Sequence, residues 1–387
     1  MKRIIAGLII GLCGLCSAAI YDMGRIEGAT GRLIPTWKVS GTYSWADYSC
    51  SYRMPLTIST YSETDTLTDF PVLVKLSSAR IDYATTCETD IRFYDSTGNH
   101  LYKETEKWNE AGDSFIWVKV PIIHPGVTNT IWAYFGSTNA VADSKTNVWN
   151  SGYEGVWHLN EASGTVYDST SNAINSSTQS ETYNVTGQIN GGGGFNGSSN
   201  YLDFGTGVGT IASGGITISS WVQGASIAGA LRGMIEKRYS DGVDNVNYGF
   251  VVAASGKLEF YYMDAGRTYH VWDSTSTITA LGIDDGDWHS LAVSFTYGTT
   301  ASIALYVDGV AKGGSWVSGD GTADPITGVG QHLVIGSEWY PSAASSFFLG
   351  NMDDCRISGS QLSSSWIKAE YLAGTDALIT YGATEAR

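Results

Sequence analysis

The stretch DGDWHSLAVSFTYGTTASIALYVDGV, Asp285–Val310, decides the fold. Within it, HSLAVSF and SIALYVD alternate apolar and polar residues, the period of a strand with one buried face. Asp308-Gly309 separates Tyr306-Val307 from Val310, and Asp-Gly in that place fits a type I′ turn. The stretch therefore reads as antiparallel strands closed by a tight hairpin.

Working outward, the same pattern recurs on both sides. ITISSWV, YGFVVAA, KLEFYY and HLVIGS surround the opening stretch, and MPLTIST, PVLVKL, DIRFYD, FIWVKV and TIWAYF come earlier. Gly, Asp, Asn and Ser separate these runs, and the chain carries 47 Gly but 7 Pro. Long helical patterns are nearly absent. An all-β protein of antiparallel sandwiches follows. The runs fall into two groups, 46–149 and 153–382, joined by the connector STNAVADSKTNVWNSGY; together they read as two consecutive sandwiches. Residues 20–45 have weak periodicity and read as a lead-in segment. One short helix is expected near the end, capped by Ser363 or Ser364, with Trp366, Ala369 and Leu372 on one face. Gly191–Gly194 lies inside the second group and lets a strand enter without side-chain conflict.

At the N-terminus, MKRIIAGLIIGLCGLCSAAIYD places two basic residues before a short apolar run and small residues at Ser17, Ala18 and Ala19. That pattern is a secretory signal peptide, 1–19, rather than a membrane span. Leu12 and Leu15 precede the two cysteines there, which argues against lipidation. The expected location is outside the cytoplasm: extracellular, at the cell surface or periplasmic, with no transmembrane segment after cleavage. The remaining part, about 370 residues, is too long for one ordinary core. A net charge of −16 disfavours nucleic acid and anionic lipid as partners. Of five cysteines, Cys50, Cys87 and Cys355 follow the signal. An odd count permits one disulfide and one spare thiol. The shared domain favours Cys50–Cys87, and Cys355, inside an apolar alternation, is expected as a small buried hydrophobe.

Four landmarks in the second group carry a family likeness: GVWHLNEASGTVYDSTSN (155–172), GQINGGGGFNGSSNYLDFG (187–205), DGDWHSLAVSF with ALYVDGV, and GNMDDCRIS (350–358). Their order resembles the laminin-G-like, concanavalin A-like jelly-roll modules of exported bacterial proteins. Ahead of them, YRMPLTIS, FPVLVKL, TDIRFYDSTG, WNEAGDSFIWVKVP and TIWAYFGSTNA resemble the domain of unknown function 2341. The resemblance implies a jelly roll at 153–382 and a role in binding outside the cell.

Asp168 has two readings. As an Asx-turn residue, followed by Ser-Thr-Ser, it satisfies its own backbone. As a calcium ligand it supplies one of the hard oxygens that such an ion gathers. The resembling modules place calcium between this turn and the aspartate of the GNMDDCRI strand, which implies Asp168, Asn172 and Asp353 as ligands here. The family has Gly where this chain has Ser171, which puts the loop geometry in doubt if that position needs a positive φ. Asp354, next to Asp353, is expected to face away from it and to be solvated or paired with Arg356.

Exported sandwiches stack sugars on aromatic rings. Trp272, Trp339 and Tyr340 fall in or beside expected loops and are the candidate ligand-binding residues; packing beneath a long loop is the competing reading for each. Trp157, Trp221, Trp288 and Trp366 sit in apolar patterns and are expected in the core. The Glu-x-Asp-x-x-Glu strand of laminarinase-like hydrolases is missing: Glu63-x-Asp65 and Glu88-x-Asp90 begin it, but Thr68 and Phe93 stand where the last Glu is needed. His158 and His289 lie in strand patterns beside Trp and are expected to close the sandwich edge. The expectation is a non-catalytic, calcium-dependent protein that binds a polysaccharide or glycoconjugate. A structural or adhesive protein binding envelope proteins is the alternative, and a glycoside hydrolase comes last.

Overall fold

The computed structural model describes residues 21–24, 36–39, 45–58, 61, 63–149, 152–225, 227–240, 244–328, 330–340 and 343–387. The stretch 1–19, expected as a signal peptide, lies outside them. Met1–Tyr48 is one unit, in which Tyr21–Gly24 pairs antiparallel with Thr36–Val39, within the expected lead-in. Ser49–Arg387 is the other unit.

The larger unit is built from two antiparallel β-sandwiches, as the alternating runs require. In the first, Tyr52–Ile58, Asn129–Phe135, Arg92–Asp95 and His100–Leu101 lie side by side. The facing sheet orders Leu67–Leu76, Ser114–Ile123 and Lys103–Lys107. The second sandwich has a front and a back sheet. The front sheet runs Thr178–Gln179, Leu202–Thr206, His332–Ile335, Arg232–Ser240, Asp244–Val252, Lys257–Met263, Tyr269–Thr277 and Gly314–Ser318. The back sheet centres on Gly191–Asn196, Leu349–Ser358, Gly215–Ala225 and Asp285–Thr296. Tyr153–Trp157 also pairs with Leu349–Ser358, with Trp157 opposite Cys355.

Local chemistry explains the strand junctions. Asp308 and Gly309 both have positive φ, 53° and 68°, and Val307 pairs with Val310, as a type I′ turn requires. A Cβ on Gly192 would lie 2.8 Å from the Met352 carbonyl oxygen, so the glycine run does admit close strand approach. The helix forms at Ser364–Gly374, and the Ser363 hydroxyl accepts the Trp366 N–H at 3.3 Å.

The core between front and back sheets is dominated by alternating apolar residues such as Ile216, Ile218, Phe250, Leu258, Phe260, Val293 and Phe295. The outer face of the back sheet is covered by the first sandwich. Val156, Ile189, Trp221 and Trp366 belong to the same cluster as Phe70, Val118 and Trp117. The chain tail closes the arrangement: Thr380–Tyr381 and Glu385–Ala386 pair with Tyr52–Ile58 of the first sandwich. The two sandwiches therefore share one apolar junction, and two short tail strands pair with the first.

The expected disulfide is not formed. Cys50 is buried, whereas Cys87 is exposed at the start of a turn, its Sγ 3.4 Å from the Thr89 hydroxyl. Placing both in one sandwich did not place their side chains together. Cys355 is fully buried, and burial raises its thiol pKa.

Candidate functional site

The turn quoted as VYDSTSN folds around Asp168. Its Oδ1 accepts the N–H groups of Val156 and Thr170 at 3.0 and 2.8 Å. Its Oδ2 accepts the Thr170 hydroxyl at 2.7 Å and the Ile174 N–H at 2.9 Å. Four donors therefore point at the two oxygens, and hydrogen atoms occupy the directions that a cation would need. Asn172 turns its amide nitrogen to the Glu154 carbonyl at 3.0 Å. Asp353 is fully buried and serves a different loop, accepting the Ile189 N–H at 2.8 Å. Burial, then the charges of Glu106 and Asp354, raise its pKa well above the usual carboxylate range. Among the described residues, no group of three or more His, Cys, Asp or Glu side chains is arranged to hold a metal ion. Asp168, Asn172 and Asp353 each engage backbone groups, and Asp168 organises its own turn. The left-handed residue of this turn is Ala173, φ 52°, so Ser171 carries no strain.

Of the aromatic candidates, Trp272 is corrected: only 4% exposed, it packs in the core between the two sheets. Its strand, Tyr269–Thr277, lies inside the front sheet, where alternation sends this ring inward. Trp339 and Tyr340 instead lie side by side at the outer face of the front sheet, and Tyr340 is 45% exposed.

That outer face holds a buried ionic cluster. On Lys257–Met263, residues Leu258, Phe260 and Tyr262 point to the core, so Glu259, Tyr261 and Met263 point outward. The Tyr261 hydroxyl contacts Glu236 Oε1 and lies 2.8 Å from Glu338 Oε1. One phenol has one proton, so one of these bonds must be donated by a carboxyl that keeps its own. Burial, then the Glu338 charge, pushes Glu236 up to about 7. Arg238 reaches Glu236 at 3.4 Å, Glu338 at 3.6 Å and Asp244 at 3.2 Å.

The aromatic pair is fixed by this cluster. Glu236 Oε2 accepts the Trp339 N–H at 2.9 Å. The Trp339 ring stacks on His332 at 3.8 Å and 10°, and His332 Nδ1 sits 3.0 Å from both Asp203 oxygens. The Arg238 guanidinium lies 4.5 Å from the Tyr340 ring centroid. Each ring is thus held by a group that is itself held.

A second polar cluster lies at the junction of the two sandwiches. Glu104 and Glu106 come from the strand Lys103–Lys107, His158 follows the strand Tyr153–Trp157, and Asp354 and Arg356 come from Leu349–Ser358. His158 Nδ1 is 3.1 Å from Asp354 Oδ1, and Nε2 is 3.4 Å from Glu104 Oε2. Burial disfavours its charge, but Glu106 and Glu104 outweigh that and raise His158 well above its ordinary value. Both ring nitrogens then donate. Burial also pulls Glu104 upward, yet the His158 charge and its hydrogen bonds hold Glu104 below the usual range. Glu106 is the exception: burial lifts it to about 7 despite His158. Arg356 pairs with Asp354 and with Glu370, and its guanidinium lies 4.7 Å from the rings of both Trp117 and Trp149. Asp354 itself has φ 49° at a register shift in the strand, and such bulges re-aim side chains.

Trp157, Trp221 and Trp366 are buried and Trp288 is partly buried against the junction, as their patterns implied. Glu104, Glu106 and Glu236 were missed. Nothing within KETEK marks Glu104 and Glu106 as buried, because their partners Trp149 and His158 come from distant parts of the chain. The available signal was charge density on a strand set among strongly apolar ones.

Residues 196–368 match the family described as the concanavalin A-like lectin/glucanases superfamily, Laminin_G_3. Residues 88–178 match the domain of unknown function DUF2341. The chain carries a DUF2341 domain followed by a Laminin_G_3 domain. The DUF2341 match runs on through Tyr153–Trp157, which pairs with Leu349–Ser358, and through the Asp168 turn. No curated protein matches the sequence. Similar solved structures include the receptor-binding domain of botulinum neurotoxin C/D mosaic serotype, at 12% identity, TM-score 0.41, 57% of this chain and 51% of that one. The binding domain of Paraclostridial Mosquitocidal Protein 1 matches at 11% identity and TM-score 0.41, over 57% of this chain and 52% of that one. The carbohydrate-binding module CBM40 of the Ruminococcus gnavus IT-sialidase matches at 14% and 0.34, over 42% and 84%. The chain spans about half the length of the first of these structures.

Proposed function

We propose that this protein binds a glycan or glycoconjugate outside the cytoplasm without cleaving it, and that Trp339 and Tyr340 form the contact ledge. The observation that carries this reading is preorganisation: both rings are clamped by Glu236, Arg238 and His332 before any ligand arrives. Rigid aromatic faces stack on the C–H faces of sugars at low entropic cost. Acids that neighbour the ledge are not poised for hydrolysis. Glu236 is fully buried, and its oxygens already engage Tyr261 and the Trp339 N–H. The exported location rests on the Lys2–Ala19 pattern. Calcium has no part in this reading, since Asp168 is saturated by donors.

A glycan array probed with the full chain and with the Trp339→Ala/Tyr340→Ala double variant tests it. The expected result is binding to a subset of glycans, unchanged by a chelator, and lost at least tenfold in the variant. Binding of no glycan, or equal binding by the variant, overturns it. Capture of an envelope protein in the absence of glycan binding would favour the adhesive alternative.

A further inference from the structure

We propose that the cavity at the junction of the two sandwiches is a second binding site, one that takes a primary ammonium group. The cavity measures about 380 Å³ and is lined by Glu104, Glu106, Asp143, His158, Glu161 and Tyr167, among others, a size within the range of small-molecule sites. Two of its acids are already satisfied. Glu104 accepts the Ser169 hydroxyl at 2.7 Å, the Trp149 indole N–H and His158. Asp143 accepts Lys103 and the Thr105 N–H, the latter at 2.6 Å.

The other two acids are not. Glu106 Oε2 accepts the Trp117 indole N–H at 2.9 Å, but its Oε1 is buried with no donor. Glu161 Oε1 accepts the Tyr167 N–H at 2.8 Å, but its Oε2 is likewise buried with no donor. The Glu106 side chain is 1% exposed. One unfilled acceptor thus comes from each sandwich, and both residues line the same cavity. Both oxygens are closed to water in the ligand-free chain, so the ligand engages them as the two side chains turn toward the cavity, and its donors then fill acceptors that are costly to leave unfilled.

The charge balance selects the donor. Four lining carboxylates face two lining cations, His158 and Lys145. His158 is engaged by Glu104 and Asp354, and Lys145 Nζ by the Asp168 carbonyl at 3.3 Å. An anion is therefore repelled. The acid side chains are not gathered to hold a metal ion. A compact ammonium offers three donors to separated acceptors. Tyr167, 55% exposed at the rim, presents a ring on which the rest of the ligand can rest. An amino sugar, an alkyl diamine and a lysine side chain all bring this group.

Titration calorimetry of the full chain with glucosamine, N-acetylglucosamine and 1,4-diaminobutane tests the proposal. Glucosamine and 1,4-diaminobutane are expected to bind, while N-acetylglucosamine, which lacks the ammonium, does not. Glu161→Gln is expected to weaken amine binding about tenfold. Glu106→Gln should weaken it further; where that variant does not fold, Glu161→Gln decides alone. The Trp339→Ala/Tyr340→Ala variant keeps amine binding, because the ledge lies on the other sheet. No amine binding, equal binding of N-acetylglucosamine, an unchanged Glu161→Gln, or loss in the ledge variant overturns the proposal.

Discussion

The outer face of the front sheet and the junction behind the back sheet bury acids in opposite ways. On the front face, Glu236 and Glu338 gather around one phenol and one guanidinium, and both Glu236 oxygens are occupied. At the junction, a permanent cation, Arg356, is committed to Asp354 and Glu370, while Glu106 lines a cavity and keeps one buried oxygen without a donor. The first arrangement holds one exposed and one half-buried ring in place. The second leaves interaction capacity unspent. A buried acid is therefore not a site in itself; what marks this one is an unfilled acceptor on a residue that lines a cavity.

The largest test of this contrast removes each arginine. Arg356 is buried against two tryptophans, and Arg356→Ala leaves Asp354 without its strongest partner. A loss of ~3–5 kcal/mol in unfolding free energy is expected by chemical denaturation. Arg238→Ala should cost less than half as much, because Glu236 can keep its proton near neutrality. The reverse order would break the comparison.

Next is pH. Burial, first among the causes, holds Glu106, Glu181, Glu236 and Glu259 up to about 7 in the folded protein. An unfolded glutamate titrates near ~4.3. The folded state thus binds more protons in between, and stability falls as pH rises from about 4.5 toward 7. His158, raised by Glu106 and Glu104 against burial, acts in the same sense: its contribution is whole below about 6.5 and declines above. Glu104 and Asp354, held low, lose their contribution only in acid, as pH falls through the unfolded and then the folded value. The melting temperature is expected to be higher at pH 5 than at pH 8. Glu236→Gln should flatten part of that slope, and a melting temperature that rises from pH 5 to pH 8 sinks the account.

Smaller effects separate scaffold from ligand at the Asp168 turn. Asp168→Asn replaces two acceptor oxygens by one and is expected to cost ~1–3 kcal/mol. Calcium should leave the melting temperature of the unaltered chain unchanged; a clear rise would restore the metal to this loop. The smallest change concerns the backbone: Ala173→Gly relieves a left-handed residue and should stabilise by up to about 1 kcal/mol, while Ser171→Gly should not stabilise.

Much of the fold was readable locally. The period of two in HSLAVSF and KLEFYY, the Asp308-Gly309 turn and the Ser363 cap each depend on neighbours a few residues away, and each is seen in place. The Asp353–Asp354 pair was legible only in part. Asp354 does pair with Arg356, but a register shift and a left-handed backbone leave both aspartates buried rather than one facing water. Trp272 looked like a loop residue and is core, since the strand Gly314–Ser318 packs beside it at a separation no local window spans.

By itself the sequence determined the all-β architecture, the tight turns and the helix cap, because side-chain alternation and turn chemistry are properties of short segments. Tertiary structure alone decided that Lys103 and Glu104 would be buried, that His158 would sit among acids, and that Trp339 and Tyr340 would be clamped. Those outcomes depend on which distant surfaces meet, and the desolvation and pairing of a charge are set by the groups that close over it.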